Sequence, residues 1–374
     1  MNVLYIGPTT STSSVNGGYE FIAHSFDTVF NQLKEDREIE NYTVVDINTK
    51  ANKIELCATY DIGIILTHPK SFENPNLRTN IENLRRHCSN FYINVFWETD
   101  PLPSDWDWMF QTNLFTGFIA CSDFVKDLLQ QKVDYYKLSQ RVCKVYPLIE
   151  KFNTKIDIDK KKDEDRFTVL YVGQYTKRKG MEDAIISFSH ALGQKEDCQL
   201  YLKYHRLSKL EFDDVEFIKR TSAMNCKNMI ANIYSVTEDL NRESIYNLYK
   251  ESSVLLFPSR GEGFGLPLLE ASIIGLPIIY ADNSSCNEVV DGMNLHRVPC
   301  IKDIAIGMSQ YGYESSSYYG VPIMSHMIKA LNVCYEQWKN NREEYYRTNN
   351  GKMLIKKYSK ENILKQLKQL KELY

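Results

Sequence analysis

The chain has 374 residues, 43% of them apolar and 25% charged, with a formal net charge of -3 at pH 7; it is too long for one ordinary core, suits two domains, and lacks the basic excess of a nucleic-acid binder. Its cysteines (Cys57, Cys88, Cys121, Cys143, Cys198, Cys226, Cys286, Cys300, Cys334) are odd in number, scattered and without a Cys-x-x-Cys pair, which argues for a reducing compartment and against a zinc site or disulfide framework. No apolar stretch is long enough to span a bilayer and no basic, apolar leader precedes the first strand, so the expectation is a soluble cytoplasmic protein, with peripheral membrane contact and oligomeric state left open.

Asn2 to Gly7 reads as a buried strand ending in glycine, followed by a Thr/Ser-rich loop to Asn16-Gly17-Gly18 and a helix from about Tyr19. Thr43 to Ile47, Ile62 to Leu66, Phe91 to Phe96, Gly117 to Cys121 and Arg141 to Tyr146 read as further strands, with helices between them. Thr67-His68-Pro69 follows one strand end, where His68 has both a structural and a cleft-facing reading. Trp97, Glu98, Thr99 and Asp100 follow another; a large aromatic beside hydroxyl-binding acids is sugar-contacting equipment, and Trp97 as a core residue is the equal alternative. Asp105-Trp106-Asp107 has the form of a metal-binding Asp-x-Asp. It follows Pro103-Ser104 rather than a strand, so acids in a first helical turn capped by Ser104 account for it, and no metal is expected.

Asp157 to Arg166 is a mixed charge run with almost nothing to bury, the expected linker region. Thr168 to Gly173 (Thr-Val-Leu-Tyr-Val-Gly) then repeats the first strand (Asn-Val-Leu-Tyr-Ile-Gly) almost residue for residue, as two Rossmann-like halves would. Gln174-Tyr175-Thr176-Lys177-Arg178-Lys179-Gly180 follows. Three cations beside a glycine at a strand end can clamp a diphosphate. Asn241 is placed to cap a helix through Lys250.

Val254 to Phe257 is a short apolar run closed by Pro258, the pattern of a strand buried on both faces. Gly261, Gly263 and Gly265 alternate with Glu262 and Phe264, so the backbone can turn sharply and approach a ligand. Leu266 to Ile274 reads as a short helix with Pro267 in its first turn and Gly275 as its left-handed C-cap, and Leu276 to Tyr280 as the next strand. In such a unit the loop lies at the carboxyl edge of the sheet, where a helix N-terminus favours phosphate. Glu262 and Glu270 flank that anion site. Carboxylates repel phosphate but accept hydrogen bonds from hydroxyls, so a diphosphate with sugar hydroxyls on both sides, a nucleotide sugar, fits the arrangement. Asn283 to Asn287 is a polar loop at the same edge, with Glu288 beginning a short helix. Ile363, Leu364, Leu367 and Leu370 recur at helical spacing near the C-terminus.

Glu262 to Glu270 resembles the Glu-x7-Glu motif of retaining glycosyltransferases with the GT-B fold, particularly the large family 4 group, down to the Gly-Phe-Gly between the acids. The resemblance implies an α/β chain of two Rossmann-like, doubly wound domains facing across a cleft: residues 1–155 on the acceptor side, 156–354 binding the nucleotide sugar, and a helix in 355–374 crossing back to the first domain. It implies transfer of a hexose from a nucleotide-diphosphate sugar, GDP-mannose first and a UDP-hexose second, to a hydroxyl of a glycan or other acceptor. No cofactor is implied.

Carried over, Glu270 takes the ribose hydroxyls and Glu262 those of the transferred sugar. The Gly263-Phe264-Gly265-Leu266 backbone holds sugar or phosphate, Lys179 with Arg178 stabilises the leaving diphosphate, and Gly17 and Gly18 close on the phosphate from the other domain. Gly173 and Gln174 begin the clamp, Gln174 standing where the family carries arginine. The acceptor-side candidates are His68, Trp97, Glu98 and Asp100, with Trp97 and Glu98 where many relatives have a histidine. A sugar-nucleotide epimerase of the same fold, or a donor-binding protein without turnover, would share the binding halves. A glycoside hydrolase has no use for the glycine loop and cation turn. The chain lacks His-Glu-x-x-His, Gly-x-Ser-x-Gly, a Walker loop and Gly-x-Gly-x-x-Gly after either glycine-ended strand, so protease, serine hydrolase, P-loop and dehydrogenase readings lack their parts.

Overall fold

The structure is a computed structural model and describes residues 1–8, 18–47, 56, 59–149, 156–162, 164–205, 209–224, 232–290, 295–305, 316–347 and 351–370. The chain divides into two compact units, one built mainly from Met1–Glu150 and Lys356–Tyr374, the other from Lys151–Met308 and Tyr318–Ile355.

The first unit holds a six-stranded sheet of β1 (Asn2–Gly7), β2 (Asn41–Asp46), β3 (Tyr60–Leu66), β4 (Cys88–Val95), β5 (Gly117–Ala120) and β6 (Arg141–Lys144) in the order β2-β1-β3-β4-β5-β6. Every pairing is parallel. Consecutive residues Val3, Leu4, Tyr5 and Ile6 are all buried, as a strand covered on both faces by helices must be. The helix Lys360–Gln369 packs into this unit through Ile363 and Leu367, with Leu370 buried just beyond it. Around it, the Tyr92 hydroxyl donates to the Leu370 carbonyl at 3.1 Å and the Tyr146 amide to Gln366 Oε1 at 2.9 Å.

The second unit holds β7 (Phe167–Val172), β8 (Cys198–Lys203), β9 (Ile233–Val236), β10 (Val254–Phe257), β11 (Ile278–Ala281) and β12 (Leu295–Val298), in the order β12-β11-β10-β7-β8-β9, again all parallel. Strand order reverses between β7 and β10, which pair through Val254 with Val169 and Leu255 with Leu170. At such a switch point the loops leaving two neighbouring strands diverge and open a crevice at the carboxyl edge. Two parallel-sheet Rossmann-like α/β units, the fold expected from the repeated strand, are therefore present.

Three local readings need correction, and one element was missed. The charge run expected to be a bare linker contains a helix, Ile158–Lys162, and packs into the second unit: Lys161 is 4% exposed, and its ammonium donates to the Ser252 carbonyl at 2.8 Å and pairs with Glu164. Glu164 in turn accepts from the Tyr346 hydroxyl at 2.7 Å and the Trp338 indole at 3.4 Å, partners that lie about 180 residues away and leave no local trace. An antiparallel hairpin of β13 (Cys300–Ile304) and β14 (Tyr318–Pro322) was not anticipated. The 3-10 turn Ser104–Trp106 starts at Ser104 rather than being capped by it. Glu288 ends, instead of beginning, the 3-10 turn Cys286–Glu288. No helix among the described residues is long and apolar enough to cross a membrane.

Candidate functional site

The two loops at the β7/β10 switch point carry the charged motifs. After β7 comes the 3-10 turn Lys177–Lys179, stopped by Gly180 in the left-handed conformation (φ 69°). A side chain at Gly180 is doubly excluded, because a Cβ there would also sit 2.4 Å from the Pro258 carbonyl oxygen. Glycine thus lets the cation turn touch the backbone leaving β10. The Tyr171 hydroxyl donates to the carbonyls of Gln174 (3.2 Å) and Lys179 (3.3 Å) and holds the turn from below. Gln174 and Lys177 are exposed, whereas Arg178 is 9% exposed.

Glu262, 5% exposed, is surrounded by donors. Lys179 Nζ lies 2.6 Å from its Oε1, Ser259 Oγ donates to the same oxygen at 2.6 Å, and Arg178 Nη1 lies 3.8 Å away while donating to the Gly261 carbonyl at 2.7 Å. Burial alone would push this carboxyl up, but Lys179, Arg178 and the Lys179 and Ser259 hydrogen bonds outweigh it and hold the group below its ordinary range. The loop backbone is fixed as well: the Glu262 amide donates to Ser284 Oγ at 2.8 Å, and Ser285 Oγ donates to the Glu262 carbonyl at 2.8 Å. Arg178, expected beside Lys179 at the diphosphate, also braces the glycine loop through the Gly261 carbonyl.

The helix Leu266–Ile274 starts from Gly265 (φ 88°) and ends at Gly275 (φ 89°), as the glycine spacing requires. Pro267 has no N–H, and the Leu268 and Leu269 amides donate to the Gly265 carbonyl, so Leu266 supplies the remaining first-turn amide. Gly263 and Phe264 are buried within the same loop. Glu270 lies in the second turn, with its Oε2 accepting from the Tyr249 hydroxyl at 3.1 Å. Here burial wins, and the carboxyl is pushed up to about 7 against the opposing pull of Arg242 and of the Tyr249 hydrogen bond. Tyr249 comes from the helix Arg242–Glu251, which Asn241 caps by accepting from the Ser244 amide at 2.8 Å.

In the first unit, Trp97 is 1% exposed, packs edge-on to Trp106 at 4.6 Å and donates from its indole nitrogen to the Pro101 carbonyl at 3.2 Å. Of its two readings the core one describes this ring. His68 packs against the same Trp106 at 5.2 Å and accepts from the Lys70 amide, capping the 3-10 turn Pro69–Glu73. Burial lowers its pKa, with Glu98 acting in the opposite sense. Glu98 and Asp100 are half-buried. Gly18 opens the helix Gly18–Glu35, and Gly17 lies outside the described residues. Asp107 accepts from the Tyr136 hydroxyl at 2.7 Å and pairs with Lys132, while Asp105 is exposed. Among the described residues no group of three or more His, Cys, Asp or Glu side chains is arranged to hold a metal.

Sequence reasoning missed Ser259 and Tyr249. Ser259 adjoins the glycine loop and was open to discovery as a donor three residues before Glu262. Tyr249 is visible only as an apolar-face position of an ordinary helix.

Comparison with known proteins bears on this half of the chain. Residues 152–294 match the family model described as glycosyl transferases group 1. ORF330, a candidate glycosyltransferase of Acidianus filamentous virus 2, is 30% identical over 162 residues, covering 42% of this chain and 44% of that protein. The serotype-specific mannosyltransferase WbdA of Escherichia coli is 32% identical over 132 residues, covering 35% of this chain and 13% of WbdA. The chain thus spans less than half the length of these curated relatives. The crystal structure of Anabaena Alr3699/HepE in complex with UDP and glucose superposes with a TM-score of 0.63 over 99% of this chain and 98% of that one, at 14% identity. That likeness is one of fold, the GT-B architecture.

Proposed function

We propose that the chain is a retaining glycosyltransferase that moves a hexose from a nucleotide-diphosphate sugar to a hydroxyl of a glycan or other acceptor. The observation that carries this reading is the placement of two buried carboxylates at one switch point: Glu262 paired to Lys179 at 2.6 Å, and Glu270 in the helix that the same loop opens. In this reading Glu270 accepts from the ribose hydroxyls and Glu262 from those of the transferred sugar. The Phe264, Gly265 and Leu266 backbone holds phosphate or sugar. Lys179 meets the charge that grows on the departing diphosphate, the electrostatic contribution that dominates such chemistry, and Arg178 keeps positive charge beside it. A donor-binding protein without turnover would keep Glu270 and could dispense with the cation turn that places half-buried Lys179 against Glu262.

GDP-mannose is the proposed donor, in keeping with the likeness to a mannosyltransferase; the likeness to a chain holding UDP and glucose supports a UDP-hexose as the second. Thermal stabilisation by GDP or UDP tests the nucleotide, since a ligand that binds only the folded chain raises its Tm by mass action. NMR of the first sugar released or transferred then tests the chemistry. Retention of the donor's anomeric configuration is expected, and inversion overturns the reading. An epimer formed by water attack without acceptor would move the assignment to the epimerase.

A further inference from the structure

Arg260 stands where three segments of the second unit meet. Its amide donates to the Arg178 carbonyl at 2.7 Å and its own carbonyl accepts from the Gly320 amide at 2.8 Å. Its guanidinium donates twice to Asp183 Oδ2, from Nη2 at 2.8 Å and Nε at 3.2 Å, and once from Nη1 to the Tyr319 hydroxyl at 3.3 Å. Only 11% of the Arg260 side chain and 13% of that of Asp183 is exposed. Arg178 belongs to the cation turn, Asp183 to the first turn of the helix Met181–Leu192 directly behind Lys179, and Tyr319 and Gly320 to β14. Arg260 itself lies two residues ahead of Glu262. The segment bearing Lys179 and the segment bearing Glu262 are thereby fastened to each other through bonds that use neither residue.

The need for such a fastening follows from composition. Gly261, Gly263 and Gly265 give the Glu262 loop more backbone freedom to lose than any other residues would. Lys179 reaches Glu262 on a flexible stem, and a displacement of about 1 Å at a reacting centre can cost ~100-fold in rate. A planar guanidinium held by a largely covered carboxylate is a preorganised strut, and lysine in its place would not match its geometry. We propose that Arg260, held by Asp183 and Tyr319, is a positioning residue: it sets Lys179 against Glu262 and so governs turnover without touching the donor. The hairpin of β13 and β14 gains a role by the same argument, because β14 supplies two of the contacts that hold Arg260.

This inference rests on the glycosyltransferase reading and is testable apart from it. Amide hydrogen exchange of segments 176–181 and 260–265, measured without nucleotide on the full chain, is compared for wild type, Asp183→Asn, Arg260→Lys, Arg260→Met and Tyr319→Phe. Asp183→Asn is expected to speed exchange in both segments about tenfold, the equivalent of ~1.4 kcal/mol. In turnover it is expected to lower kcat about tenfold while the Kd for whichever of GDP or UDP the wild type binds moves less than about threefold. Tyr319→Phe moves the same quantities less, and Arg260→Lys recovers part of what Arg260→Met loses.

Unchanged exchange in both segments overturns the proposal. So does a rise in Kd as large as the fall in kcat, which makes Arg260 a donor contact, and so does faster exchange spread evenly over β7 to β12, which makes it a general stability contact. If Arg260→Met does not fold, Asp183→Asn and Tyr319→Phe decide the matter. Failure of GDP and UDP to bind wild type, with exchange responding as expected, overturns the glycosyltransferase reading and leaves the positioning role standing.

Discussion

Glu262 and Glu270 sit on one loop and the helix it opens, and both are buried, yet they are held on opposite sides of the ordinary carboxylate value. Glu262 meets Lys179, Arg178 and Ser259 and lies below its ordinary pKa; Glu270 meets one phenol and is raised to about 7. The same desolvation acts on both, so the difference is made by partners. One carboxylate is an ion pair already assembled before any ligand arrives. The other is a buried acceptor whose charge, among the described residues, is stabilised by the Tyr249 hydroxyl and by Arg242.

The strongest way to break this contrast is to remove the cation of the assembled pair. Lys179→Met leaves Glu262 buried with Ser259 and Arg178 alone, and is expected to lower kcat by roughly 100-fold, the loss seen when one electrostatic stabiliser is taken from a transition state. Donor Kd should change much less. Steady-state turnover and calorimetry together decide it, and a change in affinity alone would make Lys179 a ground-state contact.

Glu270→Gln attacks the other side. Donor affinity is expected to fall by ~1.5 to 3 kcal/mol, the scale of a charged hydrogen bond. The pH dependence sharpens the point. Folded Glu270 keeps its proton to about pH 7, whereas the unfolded chain loses it near 4.5, so this group contributes stability that is complete below pH 4.5 and is lost as pH rises to about 7. The rise corresponds to ~3 kcal/mol. Glu262 runs the other way, contributing stability above pH 4.5 that is lost as pH falls through its lowered folded value. In Glu270→Gln the decline in Tm between pH 5 and 7 should therefore flatten. In the proposed binding mode the ionised carboxylate is the stronger acceptor for ribose hydroxyls, so nucleotide binding to wild type at pH 6 should release a proton, detectable by calorimetry in buffers of different ionisation enthalpy.

Tyr249→Phe is a smaller step, removing one hydrogen bond to the carboxylate at a cost of ~1 kcal/mol in affinity. Because that bond lowers the Glu270 pKa, the midpoint of the pH–affinity curve should move upward. An unmoved midpoint would deny Tyr249 any hold on Glu270. The smallest effect is expected from EDTA. On the proposed reading Lys179 and the loop backbone meet the diphosphate, so activity should persist within error, and a loss restored by manganese would reopen the case of Asp105 and Asp107.

Strands β1, β3, β4, β5, β7 and β10 were legible because apolar runs buried on both faces leave continuous signals, and Pro267 and Gly275 marked the two ends of their helix. The two acids were legible for the same reason: their spacing and loop are local. What escaped was set by distance along the chain. Asp183 meets Arg260 across 77 residues and Tyr249 meets Glu270 from a neighbouring helix, and neither contact alters a local pattern. The run CIKDI of β13 carries charge where a strand is usually apolar, and its partner lies beyond a long connection. Trp97 was undecidable because tryptophan serves sugar sites and cores alike, and only the edge-on Trp106 separates them.

The packing of buried Lys161 and half-buried Glu164 into the second unit also dictates where the molecule can be cut. A fragment begun at β7 would lack both charges and take from the Ser252 carbonyl, the Tyr346 hydroxyl and the Trp338 indole the partners they have here. A fragment ended at 149 would likewise strip the first unit of the Lys360–Gln369 helix that receives Tyr146 and Tyr92. The natural dissection is therefore a splice: residues 1–149 joined by a short linker to 356–374 for one half, and 156–355 for the other.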